Sequence, residues 1–426
     1  MAIRRRREER VRREDRREAE RRGDHERAGA GRREEGQRGA QDARSSIFRG
    51  GGGQPPALEM LQQLLPTVQG YTTGGVTTFQ LRNVGLIRGL TLIIRGEIAG
   101  GGTSSQALTK LGLANLVSQV IFQDYSTYQR INTTGWHLNL LQSRKREQPW
   151  LAAFTTDNPT GMANNNPATP SLTSIAGNYV ASSISASGNS KFQMVYRIPF
   201  CRDRFDLRGA LWAKVTQASA FVFVTLNSNM FVTSTQDPTL AVFQSAGSDL
   251  ATLSNVTMEC YQDYLDQIPR GADGLEMLPW ADLEDAYLLT QTVSPQLVQG
   301  QDNSISFTDQ RQFLSASAIY DNNGALNAWT DISYWMLNAA NLTPIFKVSP
   351  LMQVIRQREI FKDDLPQGMY FFDFMHRPID TQAYGNVQLV MNPSLVSGTP
   401  AVLYLGYEMF GRIGAVVKAQ AIPSGA

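Results

Sequence analysis

The stretch Lys191-Phe192-Gln193-Met194-Val195-Tyr196-Arg197-Ile198 decides the fold class. Phe192, Met194, Tyr196 and Ile198 fall on every second residue, with Lys191, Gln193, Val195 and Arg197 between them. A repeat of two belongs to a strand that buries one face, whereas a helix places its apolar residues three and four apart. Outward from this stretch the theme recurs. Phe221–Leu226, Val387–Met391 and Ala401–Met409 are further β-branched or aromatic runs, bounded by Asn, Gly or Pro. Leu113, Leu116, Val117 and Val120 stand at i, i+3, i+4 and i+7, which predicts one short helix. The tract Leu151–Lys191, dense in Asn, Pro, Ser, Thr and Gly, reads as surface loop between strands. Pro269-Arg270-Gly271-Ala272-Asp273-Gly274 reads as a break between two β-rich halves.

The 426 residues carry 40 basic and 38 acidic side chains, a formal net charge of +2. That balance hides two segments. Residues 1–50 hold 17 Arg and 11 Asp or Glu, net +6, leaving 23 basic and 27 acidic residues, net −4, in the other 376. The body is therefore charged at about half the roughly 25% usual in soluble domains, and it is rich in Asn, Gln, Ser, Thr and Gly. Such a composition excludes a wholly disordered chain or a coiled coil, and the length suffices for two sizeable cores. No run reaches the roughly 18 uninterrupted apolar residues of a membrane span; Leu90–Ile98 is broken at Arg95. No apolar segment follows the basic N-terminus, which argues against a secretory signal. Cys201 and Cys260, the only cysteines, make no disulfide framework and point to a reducing compartment.

Residues 1–45 nearly lack large apolar side chains, with Ile3 and Val11 the main exceptions, so they cannot bury enough surface to offset their ordering entropy. Glu8–Arg12, Glu9–Arg13 and Glu18–Arg22 are i,i+4 pairs in the favourable order, each worth about 0.2–0.5 kcal/mol of helix. Gly50–Gly53 with Pro55-Pro56 then end any helix, so residues 1–53 read as an Arg/Glu-rich arm on a glycine hinge.

The chemistry of the sequence is mostly absence. No P-loop, dinucleotide-binding glycine fingerprint, HExxH or GxSxG occurs. The histidines are His25, His137 and His376, and the last two read as packed or hydrogen-bonded structural residues rather than bases or ligands. Asp363-Asp364, and Asp282 with Glu284 and Asp285, read as solvated acids. No nucleophile, base and orienting group come together, so neither an enzyme nor a cofactor or metal site is expected. The arm's net +6 suits an anionic surface. Its interleaved acids and lack of aromatics argue against sequence-specific nucleic-acid binding. One internal echo, Trp136-His137-Leu138-Asn139 against Trp335-Met336-Leu337-Asn338, fits two similar β-domains in tandem.

Several blocks then carry a family resemblance. They are Gly112–Ile121, Thr134-Gly135-Trp136-His137-Leu138, Tyr261–Pro269, Leu288 with the preceding Pro279 region, and Ile319–Asn322. Further on come Leu365–Tyr370, Arg377-Pro378-Ile379, Tyr384–Val387, Asn392-Pro393 and Gly406-Tyr407-Glu408. In this order and spacing, over about four fifths of the chain, the set resembles the tectivirus major capsid proteins. The resemblance implies an all-β chain of two tandem eight-stranded jelly rolls, with a charged N-terminal arm and short helices in loops. It places the arm at 1–53, the first roll at 54–268, the second at 269–412 and a tail at 413–426. It further implies a homotrimer of pseudo-hexagonal outline, assembled in the host cytoplasm into the icosahedral shell of a bacteriophage. That shell encloses an internal membrane and a double-stranded DNA genome, and vertex and membrane proteins are its other partners.

The family's N-terminal segment is shorter and richer in Gln and Ala than this arm, so its role carries over loosely. Arg4, Arg5, Arg6, Arg7, Arg10, Arg12, Arg13, Arg16 and Arg17 are the residues expected to touch lipid headgroups or neighbouring tiles. Tyr370, Phe371, Phe372 and Phe374 carry too many rings for one exposed strand face. Phe372 and Phe374 are candidates for contact with a neighbouring subunit, the alternative being that all four rings lie within one core. Two other classes stay open: a basic-arm DNA-packaging protein, and a jelly-roll carbohydrate-binding protein using Trp136, Trp150 or Trp280 as sugar platforms.

Overall fold

Lys191–Ile198 is the heart of one strand in two β-sandwiches that follow one another along the chain. The structure is a computed structural model. It describes residues 60–66, 68–69, 74–99, 106–107, 109, 111–144, 183–184, 189–202, 207–213, 219–228, 231–232, 241–244, 252–265, 285–307, 311–322, 329–339, 343–361, 365, 367–384, 387–396 and 401–412. By its contacts the chain divides into two units, Met1–Leu58 and Glu59–Ala426, and the described residues all belong to the second.

Among the described residues the first half has eight strands of five residues or more: β1 (Met60–Leu64), β2 (Val76–Gln80), β3 (Leu86–Ala99), β4 (Val117–Gln123), β5 (Gln129–Thr133), β6 (Asn189–Pro199), β7 (Phe221–Leu226) and β8 (Thr252–Leu265). Their pairing gives two sheets, β1-β8-β3-β6 and β2-β7-β4-β5. The second half supplies β9 (Asp285–Pro295), β10 (Asn303–Phe307), β11 (Gln312–Asn322), β12 (Ile332–Ala339), β13 (Thr343–Val348), β14 (Met369–Asp373), β15 (Val387–Pro393) and β16 (Ala401–Arg412). These pair as β9-β16-β11-β14 and β10-β15-β12-β13, the same order with every label raised by eight. Each half is thus an eight-stranded jelly roll. Each also carries one helix at the same point in the order, α1 (Gly135–Arg144) after β5 and α2 (Pro350–Phe361) after β13.

The rolls are joined through their sheets. β5 and β9 pair in parallel at Ile131–Leu289 and Asn132–Thr290, so β2-β7-β4-β5 and β9-β16-β11-β14 form one continuous sheet. In the first roll, Phe192, Met194, Tyr196 and Ile198 face inward to meet Phe79, Phe122, Val222 and Val224. The second core is built on Phe313, Tyr320, Trp335, Leu389 and Phe372. The sheet β9-β16-β11-β14 is covered on both faces. On β14, Tyr370 and Phe372 enter the second core, while Met369 and Phe371 join the first. Every residue of β11 from Phe313 to Asn322 is buried, which explains its small side chains Ser315, Ala316, Ser317 and Ala318.

Two sequence expectations need correction. The helical spacing at Leu113–Val120 belongs to a 3-10 turn, Gly112–Leu116, running straight into β4. A register shift opposite Thr225 and Leu226 lets Val117 and Val120 both point inward at a spacing of three. The Trp-centred echo is coincidence, because Trp136 lies on α1 and Trp335 on a strand, β12. The real duplication lies in strand order. Of the loop expected over Leu151–Lys191, Ser183–Ile184 and Asn189–Lys191 are strand, and the rest, like the break at Pro269–Gly274, falls outside the described residues.

Candidate assembly interface

The junction between the rolls is built around α1, buried from Gly135 to Gln142. The ring of His137 lies flat against β16 at Gly406, where a Cβ atom would stand 2.6 Å from the ring, so only glycine fits. Its Nδ1 is 2.7 Å from the hydroxyl of Thr133. At the end of α1, Arg144 reaches into the second roll and donates from Nη1 to Glu408 at 3.3 Å and from Nη2 to Asp373 at 3.0 Å. Its guanidinium also lies 5.6 Å from the ring centre of Phe371.

Glu408 is fully buried, and its carboxylate also accepts hydrogen bonds from the hydroxyls of Tyr287 and Ser315. Burial, and then the charge of Glu408, push the Tyr287 hydroxyl far above its ordinary pKa, so it remains a donor. Three more arginines bridge the rolls. Arg202 donates to the carbonyl of Met375 at 3.1 Å, Arg208 lies 5.0 Å from the ring centre of Phe410, and Arg311 donates to the Tyr128 hydroxyl at 2.8 Å. For buried pairs such as Arg144–Glu408, attraction and desolvation largely offset one another. What the network contributes is register, because Arg144 meets both carboxylates only when α1 lies along β16.

The aromatic cluster of β14 divides differently from either expectation. Phe372, 2% exposed, sits in the second core against Trp335 and Phe346, with ring centres at 5.2 and 6.1 Å. Its ring is thus enclosed within the single chain, as the alternative of an intradomain core has it. Phe371 faces the first roll of the same chain, a covering the sequence reading did not consider. Phe374 is half-buried, 6.0 Å from Phe346, and keeps some surface outward. The arm arginines Arg4 to Arg17 lie outside the described residues, as do Asp363-Asp364, Asp282 and Glu284. Trp136 is 4% exposed and cannot serve as a sugar platform; Trp150 and Trp280 are not among the described residues. His137 is packed as expected, whereas His376 is exposed in the turn after β14. Cys201 and Cys260 are buried and outside any disulfide, the Cys201 thiol donating to the carbonyl of Arg88 at 3.4 Å, and burial pushes the Cys260 thiol up.

The junction residues Arg144, Gly406 and Glu408 escaped the sequence reading as a site. A signal existed, since a glycine and a carboxylate interrupt the apolar run of β16, on the face opposite the one that lines the second core.

Two tandem jelly rolls locked through one sheet define a class, the double jelly-roll viral coat proteins. Solved structures share the fold. A chain of Sulfolobus Turreted Icosahedral Virus superposes with a TM-score of 0.58 at 14% identity, over 86% of this chain and 94% of its own. The PBCV-1 VP54 chain gives 0.51 at 11% identity, over 84% of this chain and 97% of its own. The sequence narrows the class to one family. Residues 55–268 match the family model for the P3 major capsid protein N-terminal domain, and residues 285–424 match that for its C-terminal domain. The major capsid protein P3 of Enterobacteria phage PRD1, a tectivirus, is 31% identical over 378 residues, 85% of this chain and 92% of that protein. The chain belongs to the P3 major capsid protein family. It is a major capsid protein of a PRD1-like phage, a structural protein of the virion that assembles with copies of itself into the capsid shell.

Proposed function

We propose that three copies close head to tail into a ring of six rolls, the pseudo-hexagonal tile of the shell. The observation that carries this reading is the junction inside one chain. There the β5 edge and α1 of one roll meet the β9 edge and β16 of the next. The counterparts of these edges, β13 in the second roll and β1 in the first, each pair with a single strand among the described residues, β12 and β8. A heterologous contact closes into a ring when its repeated rotation returns to the start, and in this reading six roll-to-roll steps do so. Six rolls from three chains give an outline that packs hexagonally against its neighbours. Light scattering on the purified chain should then give about 142 kDa, three times 47.2 kDa. A stable monomer at every concentration would overturn the tile.

In this reading the boundaries are 1–53, 54–268, 269–412 and 413–426, and the role is structural rather than catalytic, with no cofactor. The arm, with Arg4 to Arg17, is the part of the chain that meets the anionic headgroups of an internal membrane around double-stranded DNA, or acidic patches on adjacent tiles. Vertex and membrane proteins are its further partners, and it makes no sequence-specific contact with nucleic acid. Deleting residues 1–48 is expected to keep the trimer while weakening low-salt binding to anionic liposomes. Unchanged liposome binding removes the lipid role.

A further inference from the structure

Helix α2 is built inside out. Its buried positions include two glutamines, Gln353 at 3% and Gln357 at 2% exposure, whereas Leu351, Met352 and Ile355 stand 45%, 43% and 45% exposed. The glutamines have a local reason. β14 is an edge strand that pairs only with β11 among the described residues, so one side of its backbone needs other partners. The Gln353 side-chain amide donates to the carbonyl of Phe371, and Gln357 donates to that of Met369 while accepting from the Phe371 amide at 2.9 Å. The outward apolar face has no such reason among the described residues. The exposed indole of Trp329, 42% exposed, lies in a turn packed against the same helix, and Ile345 on the preceding strand is 41% exposed. An amphipathic helix on a finished surface would carry the opposite pattern.

We infer that the outward face of α2, formed by Leu351, Met352 and Ile355 beside Trp329, docks on the first roll of a second copy of this chain. It is received by the outer face of sheet β1-β8-β3-β6. The inference rests on the head-to-tail assembly proposed above and supplies the surface that makes it. The occupant follows from the duplication. α1 holds the same place in the first roll as α2 in the second, and α1 is covered by the outer face of β9-β16-β11-β14, the next roll along the chain. For α2 no further roll follows among the described residues. The equivalent covering surface is β1-β8-β3-β6, whose outer face carries Ile93 and Tyr261 among the ion pairs Arg95–Glu259 and Arg197–Asp263. Both helices also carry an arginine in the last turn, Arg144 in α1 and Arg358 in α2. A surface of this kind completes an interface already present once per chain.

The test uses the full chain and three single substitutions, Ile355→Asp, Ile355→Gln and, as a control on an exposed strand of the first roll, Val76→Asp. Ile355 is exposed within one chain, so far-UV circular dichroism should be unchanged in all three. Glutamine keeps helix propensity and length in case aspartate disturbs α2. By light scattering across a dilution series, Ile355→Asp should run at the 47.2 kDa monomer mass. Ile355→Gln should raise the midpoint of dissociation by on the order of tenfold, and Val76→Asp should match the wild type. A wild-type oligomer whose mass both Ile355 variants retain overturns the docking face and leaves the tile standing. Dissociation of the control to the same degree also overturns it. A wild-type chain that is monomeric throughout removes the assembly reading and the docking face together.

Discussion

Replacing Arg144 by leucine is expected to destabilise the chain by about 3–5 kcal/mol, because it strands a buried carboxylate. Glu408 has no exposed surface, and the Arg144 side chain is only 7% exposed, so solvent cannot screen the lost charge. The hydroxyls of Tyr287 and Ser315 still donate to Glu408, but neither carries charge. Asp373, at 20% side-chain exposure, can turn to water and contributes less to the loss. Adding Glu408→Gln to Arg144→Leu should restore a large part of it. That pair removes both charges while leaving an acceptor for the two hydroxyls. Chemical denaturation of the two single variants and the double variant measures the coupling. A loss below about 1 kcal/mol in Arg144→Leu would mean that the register of the two rolls is held by packing alone.

Phe372→Ala is expected to cost about 3–5 kcal/mol as well, for a different reason. The ring fills space between Trp335 and Phe346 in the second core, at 2% exposure, and its removal leaves a void that its neighbours refill only in part. The assembled mass is expected to stay that of the wild type, since the ring is 2% exposed within the single chain. A variant of unchanged stability that loses its assembled mass would place Phe372 at a subunit contact after all. The two substitutions are far enough apart in role that one probes charge at the junction and the other volume in a core.

How much of this was legible in the sequence depended on how each strand is buried. β6 and β7 are covered on one face, and their alternation marks the inward residues correctly: Phe192, Met194, Tyr196 and Ile198 in one, Val222, Val224 and Leu226 in the other. β11 is covered on both faces, and its alternation disappears, so nothing in Ser315-Ala316-Ser317-Ala318 announces a shared wall between two rolls. The spacing at Leu113–Val120 misled because a 3-10 turn and a register shift together imitate a helical repeat.

By itself the sequence determined the strand-rich class, the charged arm set apart from a weakly charged body, and the family, through ordered blocks spread over most of the chain. These are properties of neighbours along the chain, where composition and periodicity act directly. Only the tertiary structure decided what covers what: Phe371 against the first roll and Phe372 in the second, His137 over Gly406, and Arg144 on a carboxylate 264 residues away. It also showed α2 turning its glutamines inward, since that arrangement depends on the open edge of β14, supplied by a separate strand. A linear pattern records that a side chain is apolar, whereas the partner that buries it is chosen by how distant strands stack.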